Sequence, residues 1–282
     1  MKKTILILFV TLLTSSINAQ IETPAPSPFQ KIEQKVGLTS VIVEYSRPSM
    51  KGRKIFGGIE AYGKVWRTGA NENTKITFST DFMLNGKSLQ KGTYALYTIP
   101  NKTTWDVILY TDTNNWGIPA KWDENKVAAK ITVTPINMPM DVETFTITFD
   151  DLTNNSAVLG ILWENVYVPL KFETPTDKMV SKSIEKIMAG PSANDMYAAA
   201  LYYLEANKDI QIAKTWIDKA VVLTAKQPKF WYLRQQSLIH AKAGNKNTAI
   251  EAAKKSLELA KQAGNSGYVK MNKASLKEWG AL

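Results

Sequence analysis

Residues 82–89 read Phe-Met-Leu-Asn-Gly-Lys-Ser-Leu, so that two short runs with apolar residues are separated by Asn85-Gly86. Both positions of a two-residue hairpin turn need a positive φ angle, which Asn and Gly adopt more readily than other residues. The stretch therefore predicts a β-hairpin, and with it an antiparallel sheet.

The segments on either side of this hairpin have the period-two alternation and the β-branched and aromatic residues of strands. They cover residues 39–45, 93–99, 105–110, 144–149 and 166–172. About nine short strands and no convincing helix fit the pattern before residue 175, which predicts a mainly β fold, an antiparallel sandwich of two sheets or a related barrel.

The pattern becomes helical after Thr174-Pro175-Thr176-Asp177. Thr176 or Asp177 is a candidate cap for a first helix that runs to Met188, where Gly190-Pro191 follows. Ser192 is a candidate cap for the next helix. The chain therefore continues from the sandwich into an α-helical domain.

Small and apolar side chains repeat within this helical region. Their positions recur 36 residues apart, since Ala213, Ile217 and Ala220 correspond to Ala249, Ala253 and Ser256. Small side chains at these intervals allow antiparallel helices to pack closely. The region resembles degenerate tetratricopeptide repeats, whose period is about 34 residues. Because such arrays usually bind proteins, the resemblance implies a protein partner.

The N-terminus has the order of a secretory signal peptide. Lys2 and Lys3 precede the apolar run of residues 5–13, and small and polar residues follow up to Ala19. We expect cleavage after Ala19 and a periplasmic or secreted protein. We expect no transmembrane segment once the signal is removed, because the apolar run is far shorter than the ~20 residues that span a bilayer.

Four parts are therefore expected along the chain. They are a signal peptide, a Pro-rich linker, a β-sandwich domain and a helical tetratricopeptide-like domain, over residues 1–19, 20–28, 29–175 and 176–282.

Charge is distributed unevenly between the two domains. Residues 20–177 carry 16 Lys and Arg against 17 Asp and Glu, whereas residues 178–282 carry 17 against 8. The positive charges of the helical part are lysines with the exception of Arg234, and they are scattered at helix-surface intervals. This pattern favours a solvated lysine-rich face, so we expect no nucleic-acid partner.

The composition excludes several classes of chemistry. The 282 residues include no Cys and a single His, His240. Thiol nucleophiles, disulfides, thiolate zinc sites, iron–sulfur clusters and multi-histidine metal sites are therefore excluded for one copy of the chain. We expect neither a cofactor nor a metal. His240 lies on the predicted face between paired helices, so we interpret it as a packed histidine and not as a catalytic base.

A long segment between two predicted strands, residues 45–72, mixes Gly, Arg, aromatic and amide residues. Its arginines are forked donors for carboxylate or phosphate, its Trp offers a stacking face, and its Asn and Glu form hydrogen bonds. One interpretation is a cleft for a small anionic ligand or a glycan. The candidate ligand-binding residues are Arg47, Arg53, Trp66, Arg67, Asn71 and Glu72.

The alternative interpretation of this segment is structural. Arg67 would pair with Glu72, Arg47 would bind a backbone carbonyl, and Trp66 and Phe56 would fill the core. Long ordered loops need such internal hydrogen bonds whether or not they bind a ligand.

The same segment carries a resemblance to a known family. The strings Gly-Arg-Lys-Ile-Phe-Gly at residues 52–57 and Val-Trp-Arg-Thr-Gly-Ala-Asn-Glu at residues 65–72 resemble the domain of unknown function 2911, common in exported proteins of the Bacteroidetes. Lys-Gly-Thr-Tyr at 91–94 and Thr-Ile-Pro at 98–100 extend the likeness, which covers residues 28–173. The resemblance implies an architecture and an exported location, and it implies no mechanism.

Two further features are ambiguous in the sequence. Asp112 and Asp123 have the spacing of a calcium loop, but Trp116 occupies a position that needs an oxygen ligand. Trp116 and Trp122 could stack on sugar rings or pack within the fold.

Three functions remain open. The leading hypothesis is a non-catalytic sandwich that binds a ligand or glycan, with a helical module that docks a partner. The second is a periplasmic carboxylate-dependent hydrolase, with Glu72 as acid or base and Arg67 or Arg53 orienting the substrate. The third is a purely structural envelope protein. The other carboxyls open to such chemistry are Glu60, Asp150 and Asp151.

Overall fold

The computed structural model describes residues 23–188 and 190–282. The signal peptide expected at residues 1–19 lies outside them. Within the described residues, ten β-strands come first and six α-helices follow. The predicted order of a β domain and then an α-helical region is therefore confirmed.

The strands form two sheets, and every pairing is antiparallel. The six-stranded sheet has the order β1-β2-β3-β6-β7-β8, and the four-stranded sheet has the order β5-β4-β10-β9. This confirms the predicted two-sheet sandwich. The strands are β1 (Phe29–Val36), β2 (Thr39–Ser46), β3 (Ala70–Phe78), β4 (Phe82–Leu84), β5 (Lys87–Leu89), β6 (Gly92–Ile99), β7 (Trp105–Tyr110), β8 (Val127–Val133), β9 (Ile136–Asp150) and β10 (Ser156–Glu173).

The predicted hairpin at residues 82–89 is confirmed. β4 and β5 pair from Phe82↔Leu89 to Leu84↔Lys87. The two turn residues, Asn85 and Gly86, have φ angles of 48° and 77°. This is the conformation that the Asn-Gly dipeptide favours.

Aromatic rings fill the core between the two sheets. Trp66 stacks on Trp163 with ring centroids 5.7 Å apart, and it meets Phe145 edge-on at 5.1 Å. Phe56 packs edge-on against Trp105 at 4.7 Å. The Trp66 indole N–H donates to the carbonyl oxygen of Gly69 at 3.1 Å, so this ring is buried without an unpaired donor. The expectation that Phe56 and Trp66 fill the core is confirmed.

A smaller cluster covers the opposite face of the six-stranded sheet. There, Tyr97 and Tyr110 pack beneath Trp122, whose ring stacks on Tyr110 at 4.5 Å. The Trp122 indole N–H donates to Glu124 at 2.9 Å. Of the two interpretations of Trp122, packing within the fold is therefore correct.

The helices follow one another as packed neighbours, from α1 to α6. Ala213, Ile217 and Ala220 of α3 are fully buried, and so are the matching residues of α5. None of the described helices is both long and apolar enough to cross a bilayer. The helices are α1 (Thr176–Ile187), α2 (Ala193–Glu205), α3 (Ile210–Leu223), α4 (Phe230–Lys242), α5 (Lys246–Gln262) and α6 (Ser266–Glu278).

One of the two predicted helix caps is confirmed. The Ser192 hydroxyl accepts from the backbone N–H of Asp195, whose carboxylate accepts in return from the backbone of Ser192. At α1, however, the cap residue is Pro175, and no side chain caps the helix. Thr176 instead accepts from the backbone N–H of Leu38, so its hydroxyl ties the start of α1 to the β1–β2 turn.

His240 is 6% exposed between α3 and α4. Its Nε2 lies 2.8 Å from a carboxylate oxygen of Asp218, which also accepts from Gln236. The interpretation of His240 as a packed, hydrogen-bonded residue is confirmed.

Candidate functional site

The segment that joins β2 to β3, residues 47–69, is fixed to the sandwich by backbone hydrogen bonds. Phe145 N–H donates to the Pro48 carbonyl at 2.8 Å, and Met50 N–H donates to the Glu143 carbonyl at 2.8 Å. Further along, Trp66 and Thr98 exchange two backbone bonds of 2.7 and 3.0 Å. Because both β9 and β6 hold the segment, its side chains have defined positions.

The end of this segment has an unusual backbone. Thr68 and Asn71 have φ angles of 55° and 60°, a region that a β-branched residue such as Thr rarely adopts. Gly69, between them, has a φ of 147°, and a Cβ there would lie 3.0 Å from the Ser46 carbonyl oxygen. Such conformations cost of order 1–3 kcal/mol each and often occur at functional sites. The positive φ of Asn71 sets the direction in which its own side chain leaves the backbone.

A cavity of about 450 Å³ opens beside this segment, and we call it the cationic cavity. Among the described residues that line it, three carry positive charge and one is a carboxyl. It is lined by Pro26, Ser27, Pro48, Ser49, Lys51, Arg53, Ile59, Glu60, Arg67, Gly69, Ala70, Asn71, Trp116 and Trp163.

Among residues 23–188 and 190–282, one hydrogen bond holds the Arg67 side chain. Its Nη1 donates to the carbonyl oxygen of Asn71 at 2.8 Å. Gly117 lies directly against the guanidinium, since a Cβ at that position would be 2.8 Å from Nη1. A guanidinium has five N–H donors in a fixed plane, so most of them remain for a ligand.

Arg53 is anchored in a similar way. Its Nε donates to the Met50 carbonyl oxygen at 2.8 Å and its Nη2 to the Ser49 carbonyl oxygen at 2.7 Å. Lys51 lies in the turn between Met50 and Arg53, and its backbone N–H donates to the Glu143 carboxylate at 2.9 Å. Carbonyl partners leave the positive charge of Arg53 without a counter-charge from these contacts, which favours an anion in the cavity.

Glu60 is the carboxyl of the cavity lining. Its backbone is fixed, because its N–H donates to Ile55 at 3.0 Å and its carbonyl accepts from Gly57 at 2.8 Å. Within residues 23–188 and 190–282, no hydrogen bond or ion pair reaches its carboxyl group. Burial raises the pKa of Glu60 to about 7, although the nearby charge of Arg67 acts in the opposite direction. The carboxyl therefore exchanges its proton near neutral pH.

Trp116 stands at the rim of the cavity with 75% of its surface exposed. The loop that carries it is fixed, because Asn115 and Asn73 form two hydrogen bonds of 2.9 and 3.1 Å. Tyr97 donates to the carbonyl of Gly117, the residue after Trp116, at 3.0 Å. An indole exposed on an anchored loop is available for stacking.

The same loop shows no metal site. Asp112, the first residue of the calcium-like spacing, pairs with Lys126 at 2.8 Å. In the part of the chain that the structure describes, no three His, Asp or Glu side chains cluster in a way that could hold a metal ion.

Two of the predicted ligand-binding residues, Arg47 and Trp66, are not in the lining of the cationic cavity. Arg47 donates from Nε to the Phe145 carbonyl at 2.9 Å and from Nη2 to Thr146 at 2.7 Å. Trp66 belongs to the core. The alternative interpretation predicted both of these environments.

Glu72 has a different partner from the one expected. Its carboxylate pairs with Lys75 at 3.3 Å and its side chain is 63% exposed, so the predicted ion pair with Arg67 is wrong. Lys75 stands three residues after Glu72 on β3. The nearest cation in sequence therefore satisfies the carboxylate, and Arg67 remains free for the cavity.

The structure therefore brings together Arg53, Arg67 and Asn71 from the predicted set. The sequence did not point to Lys51, and it indicated Glu60 only as a carboxyl open to hydrolysis, without assigning it to the candidate site. Lys51 could have been found, because it stands two residues before Arg53 in the same Gly-rich string.

Comparisons with known proteins agree with this description of the β domain. A family model described as "Protein of unknown function (DUF2911)" matches residues 27–172, just over half of the chain. Searches of curated proteins and of solved structures returned no match.

Proposed function

Because the chain belongs to the DUF2911 family, whose description assigns no activity, we propose a function from the cationic cavity itself. The β-sandwich binds a small anionic ligand of the acidic-sugar type, and it does so without catalysis. The carboxylate of the ligand binds the Arg53 and Arg67 guanidiniums, and the sugar ring stacks on Trp116.

The convergence of like charges carries this proposal. Lys51, Arg53 and Arg67 line one cavity with Glu60 as the carboxyl. Arginines pair with carboxylates through two parallel N–H···O bonds, which a partly desolvated site strengthens. Bringing three cations together is unfavourable in an empty cavity, so an anion that binds there gains from all three.

The size of the cavity supports a small ligand. Its volume of about 450 Å³ lies within the range of small-molecule sites. Buried Trp163 contributes an apolar floor and exposed Trp116 an apolar wall. A ring with one apolar face and a carboxylate complements this combination.

Isothermal titration calorimetry tests the proposal with D-glucuronate and D-glucose, which differ by a carboxylate. We expect glucuronate to bind and glucose to bind at least about tenfold more weakly, because a hydrogen bond to a charged group contributes roughly 1.5–3 kcal/mol. Arg67→Ala should remove the preference for the acid. Lys102→Ala, an exposed lysine outside the cavity lining, is the matched control. Equal affinity for both sugars would contradict the proposal, and loss of stability without any binding would favour the structural alternative.

Carboxylate-dependent hydrolysis is a second candidate function, and Glu60 is the observation that favours it. A carboxyl with a pKa of about 7 suits a general acid at neutral pH. Glu72, the acid or base expected from the sequence, is instead exposed and paired with Lys75. Glycosidases of the usual type need two carboxyls across the scissile bond, so binding remains the first proposal. Release of p-nitrophenol from p-nitrophenyl glucuronide, abolished by Glu60→Gln, would establish hydrolysis.

We also propose that the protein is exported and that the signal peptide is removed. The order of charges, apolar residues and small residues before Ala19 supports this. N-terminal sequencing of the protein from the periplasm or medium should begin at Gln20. Retention of Met1 in that fraction would contradict cleavage.

Finally, we propose that α1–α6 form a tetratricopeptide-like module that docks a protein partner. The matching buried positions of α3 and α5 support the repeat. Val222 and Leu223, at the end of α3, are 72% and 60% exposed and are suited to a contact. Val222→Asp with Leu223→Asp should abolish the capture of a partner and leave glucuronate binding unchanged.

A further inference from the structure

A second hollow of about 350 Å³ lies next to the cationic cavity. The two share Asn71 and Trp116 in their linings, so they are continuous along the surface. We call the new one the second hollow. It is lined by Phe29, Glu44, Tyr45, Ser46, Asn71, Glu72, Asn73, Lys75 and Trp116.

The second hollow differs from the first in charge. Its carboxylates are Glu44 and Glu72, which pair with Lys31 at 3.4 Å and with Lys75 at 3.3 Å. Both carboxylates are therefore neutralised by a lysine. They retain lone pairs that accept hydrogen bonds from hydroxyl groups, and the balanced charges of this hollow, unlike the three cations of the first cavity, offer a second anion no net attraction.

Two exposed aromatic rings stand at the hollow. Phe29, the first residue of β1, is 66% exposed, and Trp116 is 75% exposed. The floor between them is buried and polar, because Ser46 and Asn73 are 8% and 2% exposed. The Ser46 hydroxyl accepts from Asn71, and the Asn73 amide bonds Asn115 and Thr74, so this floor is rigid. The aromatic rings complement the apolar face of a sugar ring, and the carboxylates of Glu44 and Glu72 complement its hydroxyl groups.

The backbone places both hollows side by side. The pairing of β2 with β3 shifts register between Glu44 and Ser46, and Asn71 has a positive φ at the same level. Such bulges bend a strand and redirect its side chains. The Asn71 amide donates to Ser46 at 3.1 Å and to the Ser27 carbonyl at 3.3 Å, which fixes it at the boundary between the hollows.

From these observations we propose that the two hollows form one cleft for a disaccharide unit, in which a uronic acid is joined to a neutral sugar. The acid occupies the cationic cavity, the neutral sugar occupies the second hollow, and Trp116 contacts both. This inference rests on the proposed function of the first cavity. The inference adds that the ligand continues past Trp116 into the second hollow as a neutral sugar.

Calorimetry with defined sugars tests the inference on the full chain. The probes are D-glucuronate, the hyaluronan disaccharide (glucuronate joined to N-acetylglucosamine) and digalacturonate, which has an acid in both units. We expect the hyaluronan disaccharide to bind about tenfold more tightly than glucuronate. Digalacturonate should gain nothing over glucuronate, because its second acid would meet a hollow in which the charges of Glu44 and Glu72 are balanced by lysines.

Variants of the second hollow separate the two sites. Phe29→Ser and Glu72→Ala should lower the affinity for the disaccharide to that for glucuronate and leave glucuronate binding unchanged. Trp116→Ala should weaken both. Leu38→Ser is the matched control, since Leu38 is 47% exposed beyond the other end of β1.

The outcomes distinguish this inference from the proposed function. If glucuronate binds but the disaccharide binds no more tightly, the second hollow is not a sugar site and only this inference is overturned. If digalacturonate binds as tightly as the hyaluronan disaccharide, the assignment of a neutral sugar is overturned. If neither glucuronate nor the disaccharide binds, the proposed function fails as well.

Discussion

Replacement of Glu60 by Gln should stabilise the protein at alkaline pH and leave its stability almost unchanged in acid. The carboxyl has its pKa raised from 4.5 to about 7 by burial. Because the folded state holds the proton more tightly than the unfolded state, this carboxyl contributes its stability below pH 4.5. That contribution is lost as the pH rises through 7. Gln keeps the shape of the protonated acid and does not ionise.

The size of the effect follows from the difference in proton affinity. A tenfold difference corresponds to about 1.4 kcal/mol. Ionisation of Glu60 at pH 8 would then destabilise the folded state by up to about 3 kcal/mol, and its partial contact with solvent reduces this to about 2 kcal/mol. A change of this size corresponds to roughly 5 °C in melting temperature for a chain of this length.

Differential scanning calorimetry of the wild type and Glu60→Gln at pH 4 and pH 8 measures this directly. We expect the variant to melt higher at pH 8 and at the same temperature at pH 4. Glu72→Gln is the control, because Glu72 is exposed and paired with Lys75. If Glu60→Gln gave the same difference from the wild type at both pH values, the burial of the carboxyl would be refuted as the cause.

Four further results are expected. Glucuronate affinity should increase as the pH falls from 8 to 6, since protonation of Glu60 removes the negative charge of the cavity, and calorimetry of Glu60→Gln should show no such dependence. Trp66→Ala should lower the free energy of unfolding in urea by about 4 kcal/mol, because it empties a ring-sized space in the core. Arg47→Ala should lower it by about 2 kcal/mol through the loss of two charge-assisted hydrogen bonds. Ser192→Ala should cost about 1 kcal/mol, detectable as faster amide exchange in the first turn of α2.

The architecture was predictable because its signals are local. The Asn85-Gly86 turn and the period-two strands depend on residues next to one another in the chain. The predicted cap of α1, Thr176 or Asp177, was wrong because of a tertiary contact. The hydroxyl of Thr176, a good capping group, is drawn away from its own helix by the backbone of Leu38. A contact across 138 residues leaves no trace in the local pattern.

The site was predictable only in part, for the same reason. The sequence places Arg53 and Arg67 in one segment, but their separation from Glu60 depends on how that segment folds back on itself. Trp116 comes from a loop beyond β7, and contacts with distant residues, such as the Asn73–Asn115 hydrogen bonds, bring it to the cavity. The ion pair predicted between Glu72 and Arg67 was wrong for a related reason. Lys75 and Arg67 are both close to Glu72 in sequence, and the folded structure selects Lys75.

Stability alone does not account for a carboxyl at position 60. Its ionised form destabilises the fold at alkaline pH, and an amide would fit the same space without that effect. In the cavity, however, the proton controls the balance between the negative charge of Glu60 and the positive charges of Arg53 and Arg67. Proton binding and anion binding are then coupled, and each must strengthen the other by the same free energy. The pKa of the unliganded carboxyl, about 7, should therefore limit both effects: stability stops falling above this pH, and ligand affinity starts to fall there. Affinity that kept rising as the pH fell below 6 would assign the ligand effect to another group.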